Sequence, residues 1–327
     1  MLSGSDYRFF GFYRLLLAWL VLTSHASSHL PGWVAPLALG NVGVFAFFVL
    51  SGFVIAEACH RFYPGAPGRF LANRLLRIYP TYWIACGVAL AIYLALGHPD
   101  LRLDVAAVAS NLSILYSPAG TFFWLSLIWA VGIELRFYFV AAALGGAQRL
   151  LPAHPRLVFG AFAVGALTLY VVAVATDYAR FATFRHAPFF VLGMAAYYAV
   201  VCRSRLGTLT AAIALPFALH SYHAYNLERW PTTLLFLAVI VAMAPLGRAV
   251  VSMPVARIDK QLGDLTYPLY LSHWPVVYLV EKALPLQGFA AYSAIAAISV
   301  AVAAGILLLE QPITRLRDRV RRRRLYE

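Results

Sequence analysis

Ionisable side chains stand out in this sequence because nearly everything around them is apolar. Arg14 and His25 interrupt one apolar run, Glu134 and Arg136 another, His273 a late one, and Glu310 closes the last. An ionisable group in hydrocarbon is costly, so each of these positions asks for a partner or a task. Arg14 and His25 stand eleven residues apart, about 16 Å along a helix and close to three full turns, so they share one face. Arginine supplies a permanent cation with fixed donor geometry, and histidine exchanges a proton near neutral pH. Snorkelling of Arg14 to lipid headgroups and simple packing of His25 are the plain alternatives. Glu134 lies among Trp124, Trp129, Phe137 and Tyr138, where a carboxyl group needs either a cation or a proton. Arg136 is two residues away and points to a different face, so the expected partner of Glu134 sits on another helix.

The elements that position these residues are membrane helices. The 327 residues are 62% hydrophobic and 12% charged, against about half and about a quarter in soluble chains. The sequence predicts an all-α, polytopic integral membrane helical bundle of ten transmembrane helices, at 9–27, 40–59, 78–97, 122–144, 157–176, 187–202, 206–224, 231–247, 262–281 and 289–309. The longest connection runs from His98 to Thr121, with a surface helix expected over Val105 to Tyr116. Residues 1–327 read as a single membrane domain with a short basic tail at 315–327, and the first apolar segment reads as a retained helix. Counted over ten alternating crossings, twenty of the 26 basic residues fall on the side of the N-terminus and five on the other. That bias predicts an even number of crossings with both termini cytoplasmic. The net charge of +13 is spread over short clusters and the tail rather than one face, which argues against a nucleic-acid partner. Cys59, Cys86 and Cys202 lack metal-like spacing and read as buried small hydrophobes, with no metal site.

A series of short motifs runs through this background. Arg14 and His25 are followed by Phe47-Phe48-Val49-Leu50-Ser51-Gly52-Phe53, and then by Arg69, Arg74, Arg77, Ile78, Pro80 and Tyr82. Next come Trp129, Glu134, Phe137 and Tyr138, then Tyr267, Tyr270, Leu271, His273, Trp274 and Pro275, and finally Glu310 with Pro312. In this order the chain resembles the membrane-bound acyltransferase 3 family, which includes bacterial O-antigen acetylases and acyltransferases of exported polysaccharides. Gly11 departs from the pattern, because the family often carries an acidic residue three positions before the first-helix arginine. A periplasmic hydrolase-like domain, fused to some relatives, is not expected among these residues.

The resemblance implies transfer of an acyl group, commonly acetyl, from cytoplasmic acyl-CoA to a hydroxyl of a glycan or glycolipid at a bacterial inner membrane. Acyl-CoA would be a substrate, with no bound cofactor, and the partners would be the carbohydrate acceptor and membrane lipids. The phosphates of CoA need cationic clamps, for which Arg14, Arg69, Arg74 and Arg77 are the candidates, though topogenic charge explains each of them equally well. His25 is the first choice as base for the acceptor hydroxyl or as a transient covalent carrier, and the residues do not decide between the two. Glu134 is a candidate to orient that histidine, and His273 to bind substrate or carry a proton. Ser51 and Gly52 read as residues that allow close helix packing. A transporter or flippase of a lipid-linked sugar or small solute would also use intramembrane ionisable groups, but no inverted repeat or pair of matching broken helices is visible.

Overall fold

Apolar segments removed from water must satisfy their own backbone groups, and long runs of Ala, Leu, Val and Phe do so as helices. The structure is a computed structural model in which residues 9–115, 122–150, 155–177, 179–225, 230–247, 249 and 252–322 are described. Among them are eleven α-helices: α1 (Gly11–His25), α2 (Leu39–Glu57), α3 (Pro67–Leu96), α4 (Val105–Ser113), α5 (Ile128–Leu150), α6 (Pro155–Thr176), α7 (Ala187–Val200), α8 (Arg205–Tyr225), α9 (Trp230–Leu246), α10 (Met253–Ala283) and α11 (Gly288–Arg322).

Ten membrane-spanning helices are not found. Among the described residues, five helices are long and apolar enough to cross a bilayer, over Ala35–Phe62, Pro67–Leu96, Ile128–Leu150, Arg156–Thr176 and Gly288–Ile313. The chain is therefore a polytopic membrane protein, with fewer qualifying spans than its apolar runs suggest. The reasons are physical. α1 has only 15 residues, α7 has 14 and α9 has 17, whereas a 30 Å hydrocarbon core needs about 20. α10 is long, but Arg257, Asp259, Lys260, Asp264, His273 and its prolines dilute its apolar character. α8 carries His220, Ser221 and His223 in its last turns. The distribution of basic residues was counted over ten crossings, so that bias loses its footing with them.

Packing groups the chain into two compact units. The first comprises Met1–Phe10, Val44–Ala72 and Arg136–Arg257. Its core is aromatic: Phe45 stacks on Phe189 and Phe48 on Phe190, while Tyr222 stacks on Phe236. α2 and α7 touch backbone to backbone. A Cβ added to Gly52 would lie 2.2 Å from the Phe190 carbonyl oxygen, and one on Gly193 would lie 1.8 Å from that of Val49. The close packing expected of Gly52 is present. Cys202 departs from expectation because it is exposed, whereas Cys86 of the other unit is buried.

The second unit comprises Gly11–Gly43, Asn73–Leu135 and Ile258–Glu327. α4, the expected surface helix, starts on the Asp104 carboxylate, which accepts from the Ala107 amide; Tyr116 lies outside the described residues. The last carbonyls of a helix have no helical donors, and here α3 supplies them. Tyr82 Oη donates to Asn111 O (2.5 Å), Trp83 Nε1 to Leu112 O (3.0 Å) and Tyr79 Oη to Ser113 O (2.9 Å). Buried Asn111 also holds the segment leading into α5. Its Nδ2 donates to Phe122 O (3.1 Å) and its Oδ1 accepts from Trp124 N (2.8 Å). Asn111→Leu leaves both backbone groups without these partners, and a buried unsatisfied group costs about 1–3 kcal/mol. The thermal midpoint of the purified variant should fall clearly below that of the parent, and Tyr82→Phe should cause a smaller loss. An Asn111→Leu midpoint equal to the parent's would refute this role.

Candidate active site

The site lies within the second unit, on α1 and α10. α1 begins after Phe9 and Phe10, neither of which carries an oxygen to cap a helix. The cap comes from α10 instead: the Asp259 carboxylate accepts from the amides of Gly11 (2.7 Å) and Phe12 (2.6 Å). The contact is close because Gly11 has no side chain. A Cβ there would fall 1.6 Å from the Asp259 carbonyl oxygen, and one on Gly263 would fall 3.0 Å from the Gly11 Cα.

At the other end of α1, His25 Nδ1 is 2.8 Å from His273 Nε2 of α10. The two rings lie edge to edge and nearly coplanar, with centroids 5.1 Å apart and planes 12° from parallel, and the Trp274 ring meets His25 edge-on at 4.8 Å. His273 is completely buried, and its Nδ1 is 3.2 Å from the Leu269 carbonyl. A carbonyl only accepts, so His273 Nδ1 carries a hydrogen and donates. With both imidazoles neutral, His273 Nε2 is then an acceptor and His25 Nδ1 must donate to it. This chain of assignments leaves His25 Nε2 with a lone pair, the form in which an imidazole takes a proton or attacks a carbonyl.

α10 runs parallel to both α1 and α3. α3 meets it where Tyr267 Oη approaches Ile78 O (3.5 Å) and again where the Tyr93 and Tyr278 rings lie 5.4 Å apart. Along this shared axis Arg14 and Arg74 lie at about one level, about 16 Å before the histidine pair, with Arg77 about 5 Å nearer at 1.5 Å per residue. Arg74 is buried and Arg77 half-buried. Arg69 stands on the first turn of α3, in the part of that helix assigned to the first unit. Beyond the histidines, Tyr93, His98, Phe122 and Tyr278 form an aromatic cluster with centroids 4.5 to 5.8 Å apart. α11 starts at this far end, where Tyr292 Oη meets Trp19 Nε1 (3.1 Å) and Thr23 Oγ1 (3.0 Å). Its buried stripe of Ala291, Ile295, Ser299, Ala303, Ile306 and Glu310 extends along most of the helix.

Glu134, half-buried on α5, acts electrostatically on the Tyr270 hydroxyl, and the Tyr270 ring is 6.3 Å from that of His273. The place beside His25 Nδ1 that a carboxylate was expected to fill belongs to His273. Three of the sequence candidates, His25, His273 and Glu134, therefore fall in one neighbourhood. Asp259 escaped notice in the sequence because it lies between Arg257 and Lys260 in a segment read as a loop. Its signal was indirect: Gly11 stands where an acidic residue is common in the family. No group of three or more His, Cys, Asp or Glu side chains able to hold a metal ion occurs among the described residues.

Comparison with known proteins adds three findings. A family model described as an acyltransferase domain matches residues 8–309. The exopolysaccharide production protein ExoZ of Rhizobium meliloti (strain 1021) is 28% identical over 295 residues, covering 87% of this chain and 92% of that protein. A putative membrane-bound transacylase, BcsY of Komagataeibacter xylinus, is 24% identical over 302 residues, covering 82% and 72% respectively. No solved structure matches the chain.

Proposed function

The chain belongs to this acyltransferase family, and on that premise we propose that it transfers an acyl group, commonly acetyl, from acyl-CoA to a hydroxyl of an exported polysaccharide or glycolipid. The observation that carries the reading is the hydrogen-bond chain from Leu269 O through His273 to His25 Nδ1, which leaves His25 Nε2 as a base. The names of the two relatives, one acting in exopolysaccharide production and one a transacylase, support the acceptor class and the reaction class.

In the proposed step the acceptor hydroxyl gives its proton to His25 Nε2 while its oxygen bonds to the thioester carbonyl carbon. Collapse of the tetrahedral intermediate breaks the carbon–sulfur bond, and the imidazolium returns the proton to the CoA thiolate. His273 fixes the tautomer and orientation of His25, as a carboxylate does in the serine hydrolases. Trp274 restrains the ring from its edge. Arg14, Arg74 and Arg77 of the second unit are proposed to clamp the phosphates of the donor, and Glu134 to act on the pair through Tyr270. The reading also puts both termini in the cytoplasm. It is supported by the seven arginines between Arg315 and Arg324.

His25→Gln should lower acyl transfer by about 10² to 10⁴, with donor binding retained, as measured on purified protein in nanodiscs beside a thermal-shift check. Activity within about threefold of the parent in a folded variant would remove His25 from the chemistry. His273→Gln keeps an oxygen that accepts from His25 Nδ1 and should stay about tenfold or more above His273→Phe, the worth of one such hydrogen bond. A labelled acyl group recovered on the parent's His25 would replace the base step with a covalent one.

Arg74→Gln and Arg77→Gln should each raise the donor KM by about tenfold, with the affinity of the parent falling as salt rises. Unchanged donor affinity in both variants would reduce the cluster to a topology signal. A reporter fused after Glu327 should read cytoplasmic, and a periplasmic signal would overturn the orientation.

A further inference from the structure

Two contacts join α1 to α10, and they are equally spaced on both helices. Fourteen residues separate Gly11 from His25, and fourteen separate Asp259 from His273. Each interval is about 21 Å of helix. A stiff helix fixed at its first turn therefore delivers His25 to a set height, and any slide at Gly11 reappears in full at the histidine pair. A hydrogen bond tolerates only a few tenths of an ångström, so the 2.8 Å contact between the rings depends on what happens a whole helix away.

What holds the first turn is unusual in its source. The first amides of a helix lack helical acceptors and carry the positive end of its dipole. A residue just before the helix commonly satisfies them, but α1 is preceded by Phe9 and Phe10. The acceptor comes from 248 residues away, and both carboxylate oxygens of Asp259 are used. Asp259 is 1% exposed, and bonds to a buried carboxylate are short and strong. Gly11 and Gly263 let the two backbones meet so closely that the contact has one register.

We propose, on the basis of the acyl-transfer reading, that Asp259 is a positioning residue that sets the register of α1 on α10 and thereby holds His25 Nδ1 on His273 Nε2. Gly11 allows α10 to approach closely enough for this contact. In this proposal the effect of Asp259 reaches the reaction through His25.

The register is read without substrate by a cysteine pair. On a background of Cys59→Ala, Cys86→Ala and Cys202→Ala, the pair His25→Cys with His273→Cys is bridged by a short bifunctional methanethiosulfonate. Tyr93→Cys with Tyr278→Cys is a control pair that does not involve α1. Adding Gly11→Ala or Asp259→Ala should slow bridging of the first pair by about tenfold and leave the control unchanged, since a displacement of about 1 Å is enough to upset aligned groups. In otherwise native protein, Asp259→Ala should lower kcat for acetyl transfer from acetyl-CoA by about tenfold or more at unchanged donor KM. Asp259→Asn keeps one accepting oxygen and should recover part of the loss. Equal bridging in all variants overturns the proposal, and so does equal slowing of both pairs, which would make Asp259 a general stability residue. If the cysteine pair bridges as expected but the native protein transfers no acetyl group, the result would count against the acyl-transfer reading and leave the register intact.

Discussion

Polar groups withdrawn from water must find partners inside the protein, and α10 provides them for α1 at both ends. Asp259 takes the first two amides of α1, and His273 takes the Nδ1 hydrogen of His25. Without water to compete, these bonds count for more than they would at a surface, and leaving them unmade costs more. The same demand explains α4, whose terminal carbonyls are met by the tyrosines and tryptophan of α3. α1 and α4 are thus each anchored by side chains of a longer neighbour.

Arg14, His25, Glu134 and His273 were legible because charge and imidazole are conspicuous in apolar sequence. Their pairing was not. Periodicity places residues on a face of one helix but does not say which helix lies opposite, so Glu134 rather than His273 looked like the natural orienting group for His25. Asp259 was hidden for a related reason. A carboxylate between Arg257 and Lys260 reads as surface charge until the backbone of Gly11 is found against it. The number of spans failed on a different ground. A hydrophobic run overstates the length of the helix within it: the run over 9–27 holds a helix of 15 residues and the run over 187–202 one of 14.

Glycine is what lets helices approach closely enough for such contacts. In the first unit Gly52 and Gly193 bring α2 and α7 together, and in the second Gly11 and Gly263 do the same for α1 and α10. Gly43 plays a similar part, since a Cβ there would lie 2.7 Å from the Leu17 carbonyl. In lipid, where apolar surface gains little by leaving one apolar neighbour for another, van der Waals contact between backbones is a main source of association. It is also sterically exacting, because a single methyl group would force the helices apart. A helix seated this way keeps its register, and register is what a hydrogen bond between two histidines requires.

The direction of the helices matters as much as their contacts. α1, α3 and α10 run parallel, so their dipoles add instead of cancelling, with the positive ends on the side of Arg14, Arg74 and Arg77. Arginines and helix dipoles then favour an anion at the same end, and the histidine pair stands about 10 to 16 Å further along. Beyond it the charge gives way to Tyr93, His98, Phe122 and Tyr278, whose rings suit a neutral, ring-shaped group better than a phosphate. A substrate with an anionic end and a reactive end would be drawn in by the first feature and halted at the second. That polarity follows from three parallel helices and the order of residues along them.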